Sequence, residues 1–253
     1  MPPISDIPIY VINMDRSPER LEYMRRQLAE KQLSLIRISA VDANSLGEPP
    51  AAGIFDAERA RRAYYAPILK TEIACFMSHR LAWRTFVEES AAPLCITLED
   101  DAELSDAFVP VVEAVAARGP CDWDIIKLFA RREQASKTVA ELPAGHRLVR
   151  HLRQPTGNVG QILSRAGAEK MLARSRRIYR PLDVQLQHWW EFGVRVLSID
   201  PPLVREVSGR LGGTTIGTTR PRPPVDRIVR EWRRLIFRSG LLVKSVYHRA
   251  RQR

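Results

Sequence analysis

Pro93-Leu94-Cys95-Ile96-Thr97-Leu98-Glu99-Asp100-Asp101 runs from an apolar strand directly into three carboxylates. The apolar part is short and uninterrupted, which reads as a buried strand. In an open α/β sheet, ligands usually sit at the carboxyl ends of the strands. Adjacent carboxylates repel, and that costs free energy unless a cation or basic group neutralises them. Hard cations such as Mg²⁺ or Mn²⁺ take oxygen ligands, typically one or two carboxylates plus phosphate oxygens. The triplet therefore suits a divalent metal that bridges protein to diphosphate. It also suits an exposed acidic turn opening the next helix, or a metal-dependent phosphatase or phosphotransferase. The triplet alone does not choose.

Outward from this strand, elements alternate. Pro8–Asn13 reads as a buried first strand, and Ser17-Pro18-Glu19-Arg20 opens a helix with Ser17 as N-cap and Pro18 at the first helical position. Leu33–Val41 reads as a second strand, and a long helix is expected over Thr71–Glu89. After the triplet come a helix near Ser105–Ala117 and a strand at Trp123–Phe129. Residues 131–157 read as a polar surface excursion, followed by Val159–Ser164, helices over Ala166–Ala173 and Asp183–Glu191, and a strand at Val194–Ile199. Strands alternating with helices predict an α/β sheet with helices on both faces.

Composition narrows the class. At 253 residues, 45% hydrophobic and 27% charged, the chain has material for one core of ordinary size. The opening residues lack a basic start followed by an apolar run. The longest stretch free of Asp, Glu, Lys and Arg is Gln154–Ser164, 11 residues, whereas a spanning helix needs roughly 20 mostly apolar ones. Cys75, Cys95 and Cys121 form no zinc pattern and read as buried small apolar side chains. Residues 220–253 hold eleven Arg/Lys against two Asp/Glu, so +9 of the net +11 belongs to this tail. Expected organisation is a domain over 1–219 and a basic tail over 220–253, joined by Arg220-Pro221-Arg222-Pro223-Pro224.

A second candidate site is Asn13-Met14-Asp15-Arg16-Ser17-Pro18-Glu19-Arg20. Arg16 and Arg20 offer fork-shaped donors to phosphate, and Asn13 suits a base or ribose. Helix capping with solvated arginines explains the same residues without a ligand. Neither GxGxxG nor GxxxxGK[ST] occurs. Ser78-His79 is not a nucleophile–base pair, because neighbours in a helix point different ways. A nucleic-acid-binding module is the rival suggested by a pI near 10.1. However, the charge is confined to one tail and no nucleic-acid motif is present, so no specific nucleic acid is expected.

Together these pieces resemble glycosyltransferase family 25, the bacterial lipooligosaccharide transferases related to collagen galactosyltransferases. The resemblance is carried in order by Tyr10–Arg20, Ile38–Ala43, Glu72–His79, Leu98–Asp101, Trp123–Leu128, Ser164–Ala168 and Pro181–Val184, over about residues 7–207. It implies a GT-A-like fold: an α/β nucleotide-sugar-binding domain with a mixed, mostly parallel sheet flanked by helices, here followed by a basic helical tail. It implies an inverting transfer of a hexose, galactose first, from a UDP-sugar to a saccharide in lipooligosaccharide or other cell-surface glycan synthesis. A catalytically silent scaffold of the same fold is the alternative. By position, Glu99, Asp100 and Asp101 would hold Mn²⁺ or Mg²⁺, and Asn13, Asp15, Arg16, Arg20, His79 and Lys127 would lie near the nucleotide. Gly160-Gln161 departs from the family's Gly-Tyr, which bears on sugar preference. Thr214-Thr215-Ile216-Gly217 is expected to border the site.

Inverting transfer needs a base for the acceptor hydroxyl and positive charge on the departing diphosphate. Asp183, placed near a helix start by Pro181, is the expected base, with Glu191 in reserve. N-capping explains Asp183 equally well. In the tail, Val225, Ile228, Val229, Trp232, Leu235, Ile236, Leu242, Val246 and Tyr247 fall at helical spacing between arginines. Such a basic amphipathic helix suits an anionic membrane surface, or packs on the domain with a solvated arginine face. Expected partners are a nucleotide sugar, a lipid-linked saccharide acceptor and the membrane surface. The expected location is cytoplasmic, peripheral on the inner membrane.

Overall fold

The computed structural model describes residues 3–47, 53–132, 134–213 and 224–251, with side chains in the last stretch described from Glu231. In chain order the elements are β1 (Ile9–Asn13), α1 (Pro18–Glu30), β2 (Ile36–Ser39), α2 (Ala57–Ala63), α3 (Lys70–Glu89), β3 (Leu94–Glu99), β4 (Ala102–Leu104) and α4 (Phe108–Arg118). They continue with β5 (Ile125–Lys127), β6 (Ser136–Glu141), β7 (Arg147–His151), β8 (Gly160–Ser164), α5 (Arg165–Arg174), α6 (Leu182–Gln187) and α7 (Trp189–Phe192). The chain ends in β9 (Val196–Asp200), β10 (Val204–Glu206) and α8 (Pro224–Ala250). Thr214-Thr215-Ile216-Gly217 and positions 220–223 of the Pro/Arg stretch lie outside the described residues, as do the side chains of Val225, Ile228 and Val229.

Eight strands form one sheet in the order β2-β1-β3-β8-β5-β9-β7-β6. β8 and β7 run against the other six, so the sheet is mixed but mostly parallel. β1 is buried at every position because both faces of the sheet are covered. Ile9 and Val11 join one core with Met24, Leu28 and Phe108, whereas Tyr10 and Ile12 join the other with Phe76, Trp83 and Phe86. Alternation of side chains along a strand forces this division. The result is the α/β architecture expected from the alternation of elements.

Four details differ from the sequence reading. Residues 131–157 are not only surface: β6 and β7 form a hairpin that extends the sheet, with β7 paired to β9. β6 is a largely exposed edge strand, so it lacks the apolar alternation by which strands are recognised. The helix expected over Asp183–Glu191 breaks at His188 into α6 and α7. Ser17 stands at the N-cap of α1 but its side chain caps nothing; its carbonyl accepts instead from Asn13 Nδ2 at 2.9 Å. Of the cysteines, only Cys95 is buried, Cys75 is half-buried, and Cys121 is exposed.

Gly167, in the first turn of α5, lets the helix lie against the backbone just before β5. A Cβ there would meet the Asp124 carbonyl oxygen at 2.3 Å, an oxygen that already accepts from Ser164 N at 2.9 Å. Gly167→Ala should therefore destabilise the fold by about 1–3 kcal/mol, read as a lowered urea midpoint with unchanged m-value. A midpoint equal to wild type would show that α5 can shift freely.

Candidate active site

Pairing of β1 with β3 sets Ile12 opposite Glu99, so the ends of both strands open on one side of the sheet. Over them lies a cleft of about 800 Å³. The 155–159 loop meets the end of β3 through Glu99 N, which donates to Val159 O at 2.8 Å. α3 contributes Cys75 and His79, one turn apart, and the start of α6 contributes Asp183.

The three carboxylates have three different fates. Asp100 is neutralised: Arg20 Nη1 donates to Oδ1 at 3.0 Å and Asn13 Nδ2 to Oδ2 at 2.8 Å. Glu99 Oε1 lies 3.1 Å from His79 Nε2 and 3.9 Å from Cys75 Sγ. Asp101 has the same Arg20 Nη1 at 3.8 Å from Oδ2, while its Oδ1 is buried with no hydrogen-bond partner among the described residues. Burial, and then the charges of Glu99 and Asp100, push its carboxyl up to about 7 against the opposing pull of Arg20. An orphaned, buried carboxylate oxygen of this kind fits a cation. The oxygens of Glu99 and Asp101 suit Mn²⁺ or Mg²⁺, whereas those of Asp100 are already spent. Cys75, His79 and Glu99 place their ligand atoms within 4.8 Å of one another and add a softer donor set.

The other expected residues divide into those in the cleft and those behind it. Arg16 lines the cleft and pairs with Asp42. Arg20 lines it too, but its donors are occupied by Asp100 and by the carbonyls of Leu211 and Gly213. Asn13 is buried and fully engaged, donating to Asp100 and to Ser17 O and accepting from Arg37 Nε at 3.0 Å. Asp15 is exposed and accepts from Ser39 Oγ and Arg37, bonds that lower its carboxyl. Neither Asn13 nor Asp15 lines the cleft. Lys127 is wholly buried behind the loop, donating to Pro155 O. Burial lowers its ammonium to about 8, and Asp183 pulls the other way.

Asp183 lines the cleft. Pro181, not Asp183, occupies the N-cap of α6, and the carboxylate accepts from Gly157 N at 3.1 Å and from Val184 N at 2.8 Å. Gly157 makes the first bond possible: its φ is +87°, and a Cβ would meet the Phe129 ring at 2.3 Å. Glu191 lies outside the lining. Burial raises its carboxyl, but hydrogen bonds from Arg180 and Tyr179 and the charge of Arg180 hold it down at about 2. The sequence reading missed Tyr64, Tyr65, Arg153, Asn158, Arg234, Phe237 and Arg238, all of which line the cleft. Only the uncharged run Gln154–Ser164 and the aromatic–arginine interleaving of the tail hinted at them.

A family model described as "Glycosyltransferase family 25 (LPS biosynthesis protein)" matches residues 6–186. Procollagen galactosyltransferase 1 of Danio rerio is 25% identical over 218 residues, covering 78% of this chain and 35% of that protein. Procollagen galactosyltransferase 2 of Homo sapiens is 25% identical over 170 residues, 65% of this chain and 27% of its own. A protein of Rattus norvegicus named "Probable inactive glycosyltransferase 25 family member 3" is 28% identical over 187 residues, 70% and 31% respectively. The chain thus spans roughly a third or less of the length of these relatives.

The raised carboxyl of Asp101 has a measurable consequence. A carboxyl whose folded pKa exceeds its unfolded value, near 3.9, is bound to a proton longer in the native state. Stability then falls as pH rises from about 4, and the loss levels off only above about 7, once the folded state is ionised as well. With chelator present, Asp101→Asn should gain stability relative to wild type between pH 5 and pH 8, by on the order of 1–3 kcal/mol. Thermal melts of both proteins at each pH decide it, and a wild type that gains on the variant as pH rises would refute the assignment.

Proposed function

The chain belongs to glycosyltransferase family 25, and from that premise we propose that it is an enzyme. It moves a hexose, galactose first among the candidates, from a UDP-sugar to a saccharide acceptor of a cell-surface glycan, with inversion at the anomeric carbon. The observation that carries this reading is Asp101, a half-buried carboxylate beside Glu99 with one buried oxygen that has no hydrogen-bond partner among the described residues, at a strand end that opens on a cleft. Glu99 and Asp101 would hold Mn²⁺ or Mg²⁺, which supplies Lewis-acid stabilisation of the departing diphosphate.

The chain's own residues do the rest. Asp183 takes the proton of the acceptor hydroxyl as it attacks, with its carboxylate oriented by Gly157 N and Val184 N. Arg16, on the cleft wall, adds positive charge to the diphosphate. His79 fixes the Glu99 carboxylate. Arg20 and Asn13 act one step back: by neutralising Asp100 they leave Glu99 and Asp101 as the remaining anionic ligands.

A lipid-linked acceptor fits the tail. No helix among the described residues is long and apolar enough to cross a membrane. However, α8 turns Trp232, Leu235, Ile236, Val243, Val246 and Tyr247 outward, with Ile236 and Val243 exposed at 67% and 68%. At 100° per residue these positions make one stripe, with Arg233, Lys244 and Arg251 along one side and Arg238 and Arg249 along the other. An apolar stripe between two cationic rows complements an anionic lipid surface. The opposite side of α8 is docked on the domain: His248 stacks on Trp190 at 4.9 Å, and Leu241 and Ser245 are buried.

Two experiments test these proposals. A screen of UDP-sugars with Mn²⁺ should find one that stabilises the protein and is hydrolysed. Turnover should fall at least 100-fold in Asp101→Ala and in Asp183→Asn, about 2.7 kcal/mol of transition-state stabilisation each. Stabilisation without turnover in wild type would return the silent-scaffold reading, and near-normal turnover in Asp183→Asn would end its role as base. Separately, Ile236→Glu/Val243→Glu should reduce sedimentation with phosphatidylglycerol vesicles at least tenfold. Unchanged sedimentation would end the membrane proposal.

A further inference from the structure

α8 does more than offer an outer stripe, because its docked side completes the cleft. Arg234, Phe237 and Arg238 line the same space as Glu99, Asp101 and Asp183. Arg153, just beyond β7, lines it with them. Arg153 Nε is buried and has no acceptor among the described residues. Burial, then the charges of Arg238 and Arg234, lowers the basicity of its guanidinium, which places three cations in mutual repulsion. Arg234 has Glu231 at 3.2 Å, whereas no carboxylate among the described residues pairs with Arg153 or Arg238. Three clustered guanidiniums with one carboxylate among them cost free energy that a bound anion would recover.

Beside the cations lies an aromatic surface. The Phe237 ring centroid is 5.8 Å from that of Tyr64 and 5.6 Å from that of Tyr65, and the two tyrosines are 4.5 Å apart. All three rings line the cleft, and Phe237 sits between Arg234 and Arg238 along α8. An apolar patch of rings tilted to one another and edged by cationic donors suits a ligand that has an apolar face and a charged substituent. A sugar ring carrying a phosphate or carboxylate has both. The opposite group of the lining, Glu99, Asp101 and Asp183, is anionic and calls for a cation, so the two groups want different ligands.

We propose that Tyr64, Tyr65 and Phe237, with Arg153, Arg234 and Arg238, form the acceptor subsite, and that the acceptor is an acidic saccharide bearing a phosphate or carboxylate. The word acceptor rests on the transferase reading above; the acidic-sugar subsite itself does not. It follows that α8 is a binding element as well as an attachment helix.

The test is calorimetric titration of the full chain with glucose 6-phosphate, glucuronate and glucose, each with and without saturating UDP and Mn²⁺. At least one acidic sugar should bind tenfold or more tightly than glucose, in the presence of UDP as well as in its absence, and which one distinguishes phosphate from carboxylate recognition. Arg238→Glu, at an exposed position where folding is not at stake, should abolish that preference. Phe237→Ala should weaken acidic and neutral sugars together. The proposal is overturned if glucose binds as well as the acidic sugars, if Arg238→Glu keeps the preference, or if UDP displaces the acidic sugar, which would assign the cations to the donor diphosphate. A chain that ignored UDP would sink the transferase reading, while the acidic-sugar preference would still be read from the titrations without it.

Discussion

Asp100 is a buried carboxylate, and a charge in that position needs a partner of opposite sign and hydrogen bonds to both its oxygens. Arg20 and Asn13 meet that need from two places: the first turn of α1 and the end of β1. The same two side chains tie in more of the chain. Asn13 reaches Ser17 and Arg37, and Arg20 reaches the carbonyls of Leu211 and Gly213. The neutralised Asp100 therefore pins α1, β1, β2 and the segment after β10 around the end of β3. Its neighbours are left to face the cleft, and burial, followed by the charges of Glu99 and Asp100, raises the carboxyl of Asp101.

That division of labour was only half legible in the sequence. β1 and β3 were readable because both faces of the sheet are covered, so each strand is a continuous apolar run ending in polar residues. Expected boundaries of α3 and α5 fell within a residue or so because their buried faces repeat at helical spacing. The β6–β7 hairpin was not readable, because an exposed edge strand carries the polar composition of a loop. Among the candidate site residues, adjacency in sequence set the three carboxylates together, whereas in space each meets a different set of partners. Glu99 meets His79, Asp100 meets Arg20, and one oxygen of Asp101 meets no partner among the described residues. Those partners come from 20 and 80 residues away, beyond the reach of any local pattern. Lys127 and Asn13 belong to the motifs yet sit behind the cleft wall, and pattern alone does not tell a residue that touches a ligand from one that props the residue that does.

The tail shows the same limit from the other side. Its composition announced a basic amphipathic helix, and amphipathicity is normally read as one apolar face and one polar face. α8 instead carries two apolar surfaces on opposite sides. One is aromatic and docked, with Phe237 against Tyr64, Tyr65 and His188, His248 on Trp190, and Arg249 over Trp189 at 4.4 Å. The other is aliphatic, with Trp232 and Tyr247, and faces outward. The cationic rows lie between them. A helix so arranged can touch the cleft and a surface beyond the protein at once, which a helix with a single apolar face cannot do.

This bears on how one cleft could accommodate two anionic substrates. A nucleotide diphosphate and an acidic saccharide repel each other, and within a protein cleft that repulsion is screened less than in bulk water. Splitting the lining by sign offers a way round it. The carboxylates of Glu99 and Asp101 would repel a bare anion, so on the proposed reading the diphosphate enters together with a cation. The guanidiniums of Arg153, Arg234 and Arg238 need no such companion and favour the anion directly. On the proposed reading, opposite charge within one cleft would sort two ligands of the same sign by whether each carries a metal, with Asp183, the proposed base, in the same lining as the carboxylates of Glu99 and Asp101.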